Sequence, residues 1–209
     1  GAKHRVIAFD LPGHGDSDNA AAPAATYNMP GYARVLRDVA KQLGVEDAVF
    51  AGWSLGGHIV LEAAPDLPRA RGFAIFGTPP LSFPPVMDNA FLPSPTNAYI
   101  FARDLSEEQA RSFVASAFKP GVTDLPPQMV ADVLRTDGRA REQLVAQTEA
   151  SAFRDEVEIV ANLKQPLAVL HGAQEQLING AYFDTLTMPT LWRGQVQVID
   201  NAGHLPQWE

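Results

Sequence analysis

The pentapeptide Gly52-Trp53-Ser54-Leu55-Gly56 decides how this chain is read. An apolar run, Asp47-Ala-Val-Phe-Ala-Gly52, leads into it, and Leu55 to Ala64 leads out with helical spacing until Pro65 stops the run. A strand that turns directly into a helix at a serine flanked by glycines must bend sharply, and the bend lifts the hydroxyl clear of the sheet edge. A glycine-rich turn with an incidental serine has the same letters. The strand-in, helix-out setting favours the chemical reading.

Working outward, Arg5-Val-Ile-Ala-Phe9 reads as a strand that ends at Asp10-Leu-Pro-Gly-His-Gly-Asp-Ser17, where proline and glycine force a loop. Tyr32, Val35, Leu36, Val39, Ala40 and Leu43 recur at three- and four-residue intervals, which predicts an amphipathic helix from Gly31 that Gly44 ends. Ala70 to Phe76 is a further strand. After Gly77-Thr-Pro-Pro80 the pattern changes to a Pro-rich loop and helical stretches at 106–118, 127–136 and 139–152, with Ser106 and Gln109 spaced as a capping box. Strand character resumes at Pro166-Leu-Ala-Val-Leu-His171 and returns at Gln195 to Asp200, with a helix around 180–188 between them. The expected organisation is an α/β fold, a mostly parallel sheet with helices on both faces. Its core comprises 1–80 and 164–209, and 81–163 forms an inserted helical cap.

Composition narrows the function. Sixteen Lys and Arg against 24 Asp and Glu leave a net charge of −8, the wrong sign for a nucleic-acid partner. With 46% hydrophobic and 19% charged residues the 209-residue chain buries a real core and is neither disordered nor a coiled coil. The absence of cysteine excludes a thiolate nucleophile, a disulfide scaffold and Cys-ligated zinc. No apolar stretch reaches the roughly 18 residues that cross a bilayer, and Gly-Ala-Lys-His-Arg5 has no apolar signal core behind it. A cytoplasmic protein without a membrane partner is expected; nothing in the composition fixes an oligomeric state.

A serine hydroxyl needs a base to take its proton and a third group to orient that base. In a parallel sheet those groups belong at later strand ends, on the same rim. Of the five histidines, His204 in Asn201-Ala-Gly-His-Leu-Pro206 lies four residues past the last strand. His4 is terminal, His14 sits in a tight loop, His58 follows the elbow on its helix, and His171 closes a strand as the main competitor. Strand 166–171 is followed by Gly172-Ala-Gln-Glu175, which makes Glu175 the acid, with Asp184 and Asp200 as fallbacks. The chain order is then serine, acid, histidine.

At this point the sequence resembles the α/β-hydrolase family over nearly its whole length. The residues that carry the resemblance are the 10–17 loop, the 52–57 elbow and the 201–204 loop. More narrowly it is similar to the metal-independent N-acyl-homoserine lactonases of that fold. This similarity rests on Gly52 to His58, Gly77-Thr-Pro-Pro80, Arg135-Thr-Asp-Gly-Arg-Ala-Arg141, Leu191-Trp192 leading into Val198 to His204, and glutamate at 175. The resemblance implies a small-molecule ester or lactone substrate, with Ser54 as nucleophile, His204 as base and Glu175 as orienting acid. The Leu55 N–H serves as an oxyanion donor at a helix N-terminus. It implies lactone ring opening, and so quorum quenching, with no metal and no cofactor. Trp53, Phe91, Tyr99, Phe113 and Phe118 are the candidate substrate-binding side chains, with Leu92, Ile100 and Met129 beside them; for any one of those in the cap, ordinary packing of cap helices against the sheet is the commoner explanation. A general carboxylesterase is the nearest alternative. Serine at 54 argues against epoxide hydrolase and dehalogenase chemistry, which uses a carboxylate nucleophile, and no His-x-His-x-Asp-His cluster supports a zinc lactonase.

Set against the family, strand 5–9 stands where a fourth strand should be. The strands before it, with the loop that supplies the second oxyanion N–H, are not found, nor is the final helix. The expectation is an internal piece of a longer protein. A catalytically incompetent remnant is therefore the alternative of another class.

Overall fold

The computed structural model describes residues 3–149 and 153–209, with side chains for 3–144 and 153–209. Four parallel strands form one sheet, β1 (Val49–Trp53), β2 (Gly72–Phe76), β3 (Leu167–Gly172) and β4 (Gln197–Ile199), hydrogen-bonded in that order. Trp53 lies opposite Phe76, Phe76 opposite Leu170, and Gly172 opposite Ile199. The carboxyl ends of β1 and β2 are level with each other and those of β3 and β4 run two residues further, so the segments that follow all four strands emerge along one rim. Seven helices accompany them among the described residues: α1 (Pro23–Thr26), α2 (Met29–Gln42), α3 (Leu55–Ala63), α4 (Glu107–Ala117), α5 (Pro127–Arg135), α6 (Gly138–Glu149) and α7 (Glu156–Asn162).

The main core follows from strand alternation. Phe50, Phe73, Ile75, Leu167 and Val169 point to one face and pack with Ala33 and Ala40 of α2, Val60 and Leu61 of α3, and Val160 of α7. On the other face of the edge strand β1, Val49 is 60% exposed and Trp53 37%. Helix α2 starts where the Asn28 side chain accepts the Gly31 N–H at 2.7 Å. It ends in a Schellman turn, in which Gly44, at φ +66°, donates to Lys41 and Val45 donates to Ala40. The Ser106–Gln109 capping box is formed in both directions.

Two sequence expectations change, and a third runs past the described residues. Residues 5–9 form no strand: Val6, Ile7 and Phe9 are exposed, and no described strand takes their backbone groups. An apolar run becomes a strand only beside a partner that pairs its N–H and C=O groups. The helix around 180–188 is a 3₁₀ turn over Gly180–Thr185, capped by the Asn179 side chain. Thr185, Thr187 and the Met188-Pro189 step resist an α-helix beyond it. The 139–152 helix is α6, and 150–152 lie outside the described residues. Helix α7, which the periodicity did not reveal, is a seven-residue element capped by the Asp155 carboxylate on the Glu158 N–H.

Candidate functional site

Ser54 occupies φ 51°, ψ −119°, a region that L-residues rarely adopt, at the step from β1 into α3. Three contacts hold it there. Its N–H donates to Phe76 O at 2.9 Å, and its carbonyl accepts from the Gly57 N–H and the Thr78 hydroxyl, each at 2.9 Å. A side chain on Gly52 would strike the Gly56 carbonyl at 2.1 Å, so the turn closes only with glycine there. The Ser54 hydroxyl does not cap α3 and stays free for other work. Leu55 opens that helix, so its N–H has no carbonyl one turn back to bond within it.

His204 arrives on the loop after β4 and is 4% exposed. Its imidazole lies over Gly77, the residue that follows Phe76. A Cβ at Gly77 would stand 2.7 Å from His204 Cε1 and 3.2 Å from Nε2, and Gly77 has φ +60°. Trp53 donates its indole N–H to the His204 carbonyl at 2.7 Å, and the two rings are 5.6 Å apart. The loop is held from below as well. The buried Glu209 carboxylate accepts the Gly203 N–H at 2.7 Å and the Lys119 N–H, while Lys119 Nζ donates to Asn201 O.

Glu175, on the turn after β3, meets His204 Nδ1 with Oε2 at 2.8 Å. Its other oxygen, Oε1, accepts the N–H groups of Gln176 and Leu177, each at 2.9 Å. Burial pushes this carboxyl up, but the hydrogen bond and charge of His204, the Leu177 N–H and the nearby His171 outweigh it and hold the group below the usual range. An ionised carboxylate only accepts, so Nδ1 carries a proton in either charge state of the ring, and in the neutral ring the lone pair is on Nε2. A hydroxyl, an imidazole and a carboxylate from three separate strand ends thus share one rim.

The fallback acids play no such part: neither Asp184 nor Asp200 bonds an imidazole among the described residues. His171 is tucked against Phe183 at 5.6 Å, and its buried Nδ1 has no partner among the described residues; burial lowers its pKa. Among the described residues His14 Nδ1 donates only locally, to Pro12 O. Of the candidate substrate residues, Trp53 bonds the His204 backbone. Phe91 bridges to Ile178 and packs on the main core. Phe118 is buried with Ala110, Val114, Val130 and Leu205, immediately beside His204. Tyr99 and Phe113 are half-buried in the segment between β2 and β3. Two open depressions, one beside His171 and Phe183 and one beside Pro65 and Ile159, have no Ser54 or His204 in their walls.

Sequence reasoning missed a second imidazole–carboxylate pair. His58 Nδ1 meets the buried Glu156 carboxylate at 2.9 Å, and Glu156 also accepts the Leu81 N–H at 2.8 Å. The pair ties α3 to α7 and to the 77–81 turn that carries Gly77 and Thr78. Glu156 offers no sequence signal, being one of several acids in a short helix. Glu209 is equally silent.

These features, a strained serine at a strand-to-helix turn with histidine and acid at later strand ends, are those of a hydrolase built on a parallel sheet. The model of the Alpha/beta hydrolase family matches residues 1–209, and the chain belongs to that family. Among curated proteins it is similar to the dihydrolipoyllysine-residue acetyltransferase component of the acetoin cleaving system of Cupriavidus necator. That match is 27% identical and covers 99% of this chain and 53% of the relative, so the chain spans about half its length. A pimeloyl acyl-carrier-protein methyl ester esterase of Xanthomonas oryzae is 41% identical over 77 residues, 37% of this chain and 27% of the relative. Among solved structures, the N-acyl homoserine lactonase AidH complexed with N-butanoyl homoserine superposes with a TM-score of 0.88 at 37% identity, covering 94% of this chain and 70% of that one. A putative aryl esterase from Burkholderia cenocepacia, 20% identical with a TM-score of 0.73 over 94% of this chain and 71% of its own, shares the fold. No described helix is long and apolar enough to cross a membrane.

Proposed function

We propose that this protein opens the ring of N-acyl-homoserine lactones through an acyl-enzyme, with Ser54, His204 and Glu175 as its catalytic residues. The observation that carries the reading is the 2.8 Å contact between Glu175 Oε2 and His204 Nδ1, which leaves Nε2 basic. The Ser54 oxygen attacks the lactone carbonyl carbon as Nε2 takes its proton. The resulting oxyanion is met by the Leu55 N–H at the start of α3. When the ring C–O bond breaks, the imidazolium returns its proton to the departing alcohol oxygen, which stays tethered through the homoserine carbons. Water, deprotonated by Nε2, attacks the Ser54 ester and releases the open N-acyl-homoserine. The acyl chain is assigned to the segment between β2 and β3, where Tyr99 and Phe113 keep exposed surface. Similarity to AidH supports the lactone as substrate.

The local identity to the pimeloyl methyl ester esterase favours a second reading, a linear-ester hydrolase using the same residues. The test compares kcat/KM for an N-acyl-homoserine lactone with that for the methyl ester of the corresponding open acid. A lactone preferred by about tenfold or more, the effect of one or two well-placed contacts, is expected. Faster turnover of the linear ester overturns the lactone assignment and keeps the hydrolase. Turnover of neither overturns both and leaves the catalytically incompetent remnant.

A further inference from the structure

We infer that residues 135–141 form a latch that fixes α4, α5 and α6 beside the Ser54–His204 rim and so sets the length of acyl chain accepted, with Asp137 and Tyr27 as its positioning residues. The second half of this inference rests on the lactone-opening reading; the first does not.

The segment, Arg-Thr-Asp-Gly-Arg-Ala-Arg, joins α5 to α6, and no step of the chemistry uses it. Arg139 donates to Asp137 within the segment, and Thr136 and Arg135 donate back to Asp132 of α5; its remaining polar groups reach in two directions. Towards the core, the Asp137 N–H donates to Gly13 O at 2.8 Å, and the Asp137 carboxylate accepts the Tyr27 hydroxyl at 2.7 Å. That hydroxyl accepts the Ala20 N–H at 2.8 Å. Arg135 adds an ion pair to Asp16 at 2.7 Å, which at the surface contributes little. Towards the inserted segment, the Arg141 guanidinium donates to the carbonyls of Ala102, Val133 and Arg103 at 2.8, 3.2 and 3.1 Å. Gly138 lies so close to Arg103 O that a Cβ would meet it at 2.2 Å. Seven residues thus clasp the inserted helices with one hand and the 10–27 region with the other.

The clasp lies between two apolar clusters that take in the chain neighbours of the reacting groups, Leu55 beside Ser54 and Leu205 beside His204. On one side Ala140, the second residue past Gly138, is buried with Tyr27, Tyr32 and Ile59, and Leu55 packs against that cluster. On the other side α4 and α5 bury Val114, Phe118 and Val130 against Leu205. The inserted helices are therefore pinned next to Leu55 and next to His204. A looser hold on those helices would shift the side chains nearest Leu55 and Leu205, on either side of the reacting pair. Tyr27 is fully buried, and its ring fills the ground under Gly13, where a Cβ would stand 2.6 Å from the hydroxyl oxygen. Removing that one oxygen takes away the side-chain tie to Asp137, loosening the latch without opening a large hole.

The experiment uses Tyr27→Phe, which keeps the ring, alongside Asp137→Asn. Hydrogen exchange is followed by mass spectrometry, and kcat/KM is measured for lactones with short and long acyl chains. In Tyr27→Phe, amides of 127–144 should exchange about five- to tenfold faster, the effect of losing one ordinary hydrogen bond, while β3 keeps its protection. The ratio of long-chain to short-chain kcat/KM should shift by about fivefold or more. A role in stability alone would lower both chain lengths alike. Unchanged exchange in 127–144, or equal acceleration in β3, overturns the latch. Faster exchange with an unshifted ratio overturns the acyl-length role. A parent protein that turns over no lactone sinks the lactone reading and the acyl-length role together, leaving the exchange result to decide the latch.

Discussion

Glu175 and His204, 29 residues apart in the chain, meet at 2.8 Å because β3 and β4 are parallel neighbours with flush carboxyl ends. In the proposed reaction the carboxylate fixes the imidazole tautomer and stabilises the imidazolium that forms when Ser54 gives up its proton. Glu175→Gln keeps an acceptor but removes the charge, and should lower kcat by about 10²- to 10⁴-fold. Glu175→Asp keeps the charge on a shorter arm and should lose less. Steady-state kinetics of the two variants checks the order. The carboxyl is held below its ordinary range, so its contribution is complete above the ordinary carboxylate pKa and disappears as pH falls through the lower folded value.

The backbone at Ser54 stores strain of about 1–3 kcal/mol, which only glycine relieves. Ser54→Ala and Ser54→Gly should both abolish turnover. The glycine variant should unfold at higher urea than the alanine variant, by about 1 kcal/mol. Equal midpoints in denaturant titrations would contradict a strained nucleophile.

Gly77 is where His204 rests, and a methyl group there has no room. Gly77→Ala should push the imbedded imidazole aside by a fraction of an ångström to an ångström. Such a shift costs about 10²-fold in turnover although no reacting group is lost. Circular dichroism should show the fold retained while kcat falls.

Asp137 is held down to about 2, chiefly by the Arg139 guanidinium, with the Tyr27 hydroxyl and the Arg139 N–H adding to it. The folded value lies below the ordinary 3.8, so the stabilisation is present above about pH 4 and is lost as pH falls through about 2. Asp137→Asn should therefore unfold more easily at pH 7, and its stability should decline less steeply than the parent's between pH 4 and 2 in urea titrations.

Much of this was legible in the letters. The elbow at 52–56 fixed a strand, a turn and a helix at once, because only glycine tolerates the close approach at Gly52. His204 and Glu175 followed from counting residues past strand ends. Helices α2 and α4 announced themselves through periodicity and through the Gly44 and Ser106 caps. What stayed hidden depends on partners distant in sequence. Residues 5–9 have the composition of a strand, and pairing is not a property of composition. Glu156 and Glu209 are ordinary acids until folding brings a His58 ring or a Gly203 N–H to them. Tyr27 sits in a bland Thr-Tyr-Asn stretch, and its bond to Asp137 spans 110 positions.

Covalent trapping tests the central claim most directly. The protein is treated with a serine-reactive fluorophosphonate, digested, and the modified residue located by mass spectrometry. The account predicts a single adduct on Ser54, absent in Ser54→Ala and formed at least about 10²-fold more slowly in His204→Gln, since the hydroxyl then has no base. An adduct on another residue, or labelling of Ser54 at a rate indifferent to His204, would contradict it.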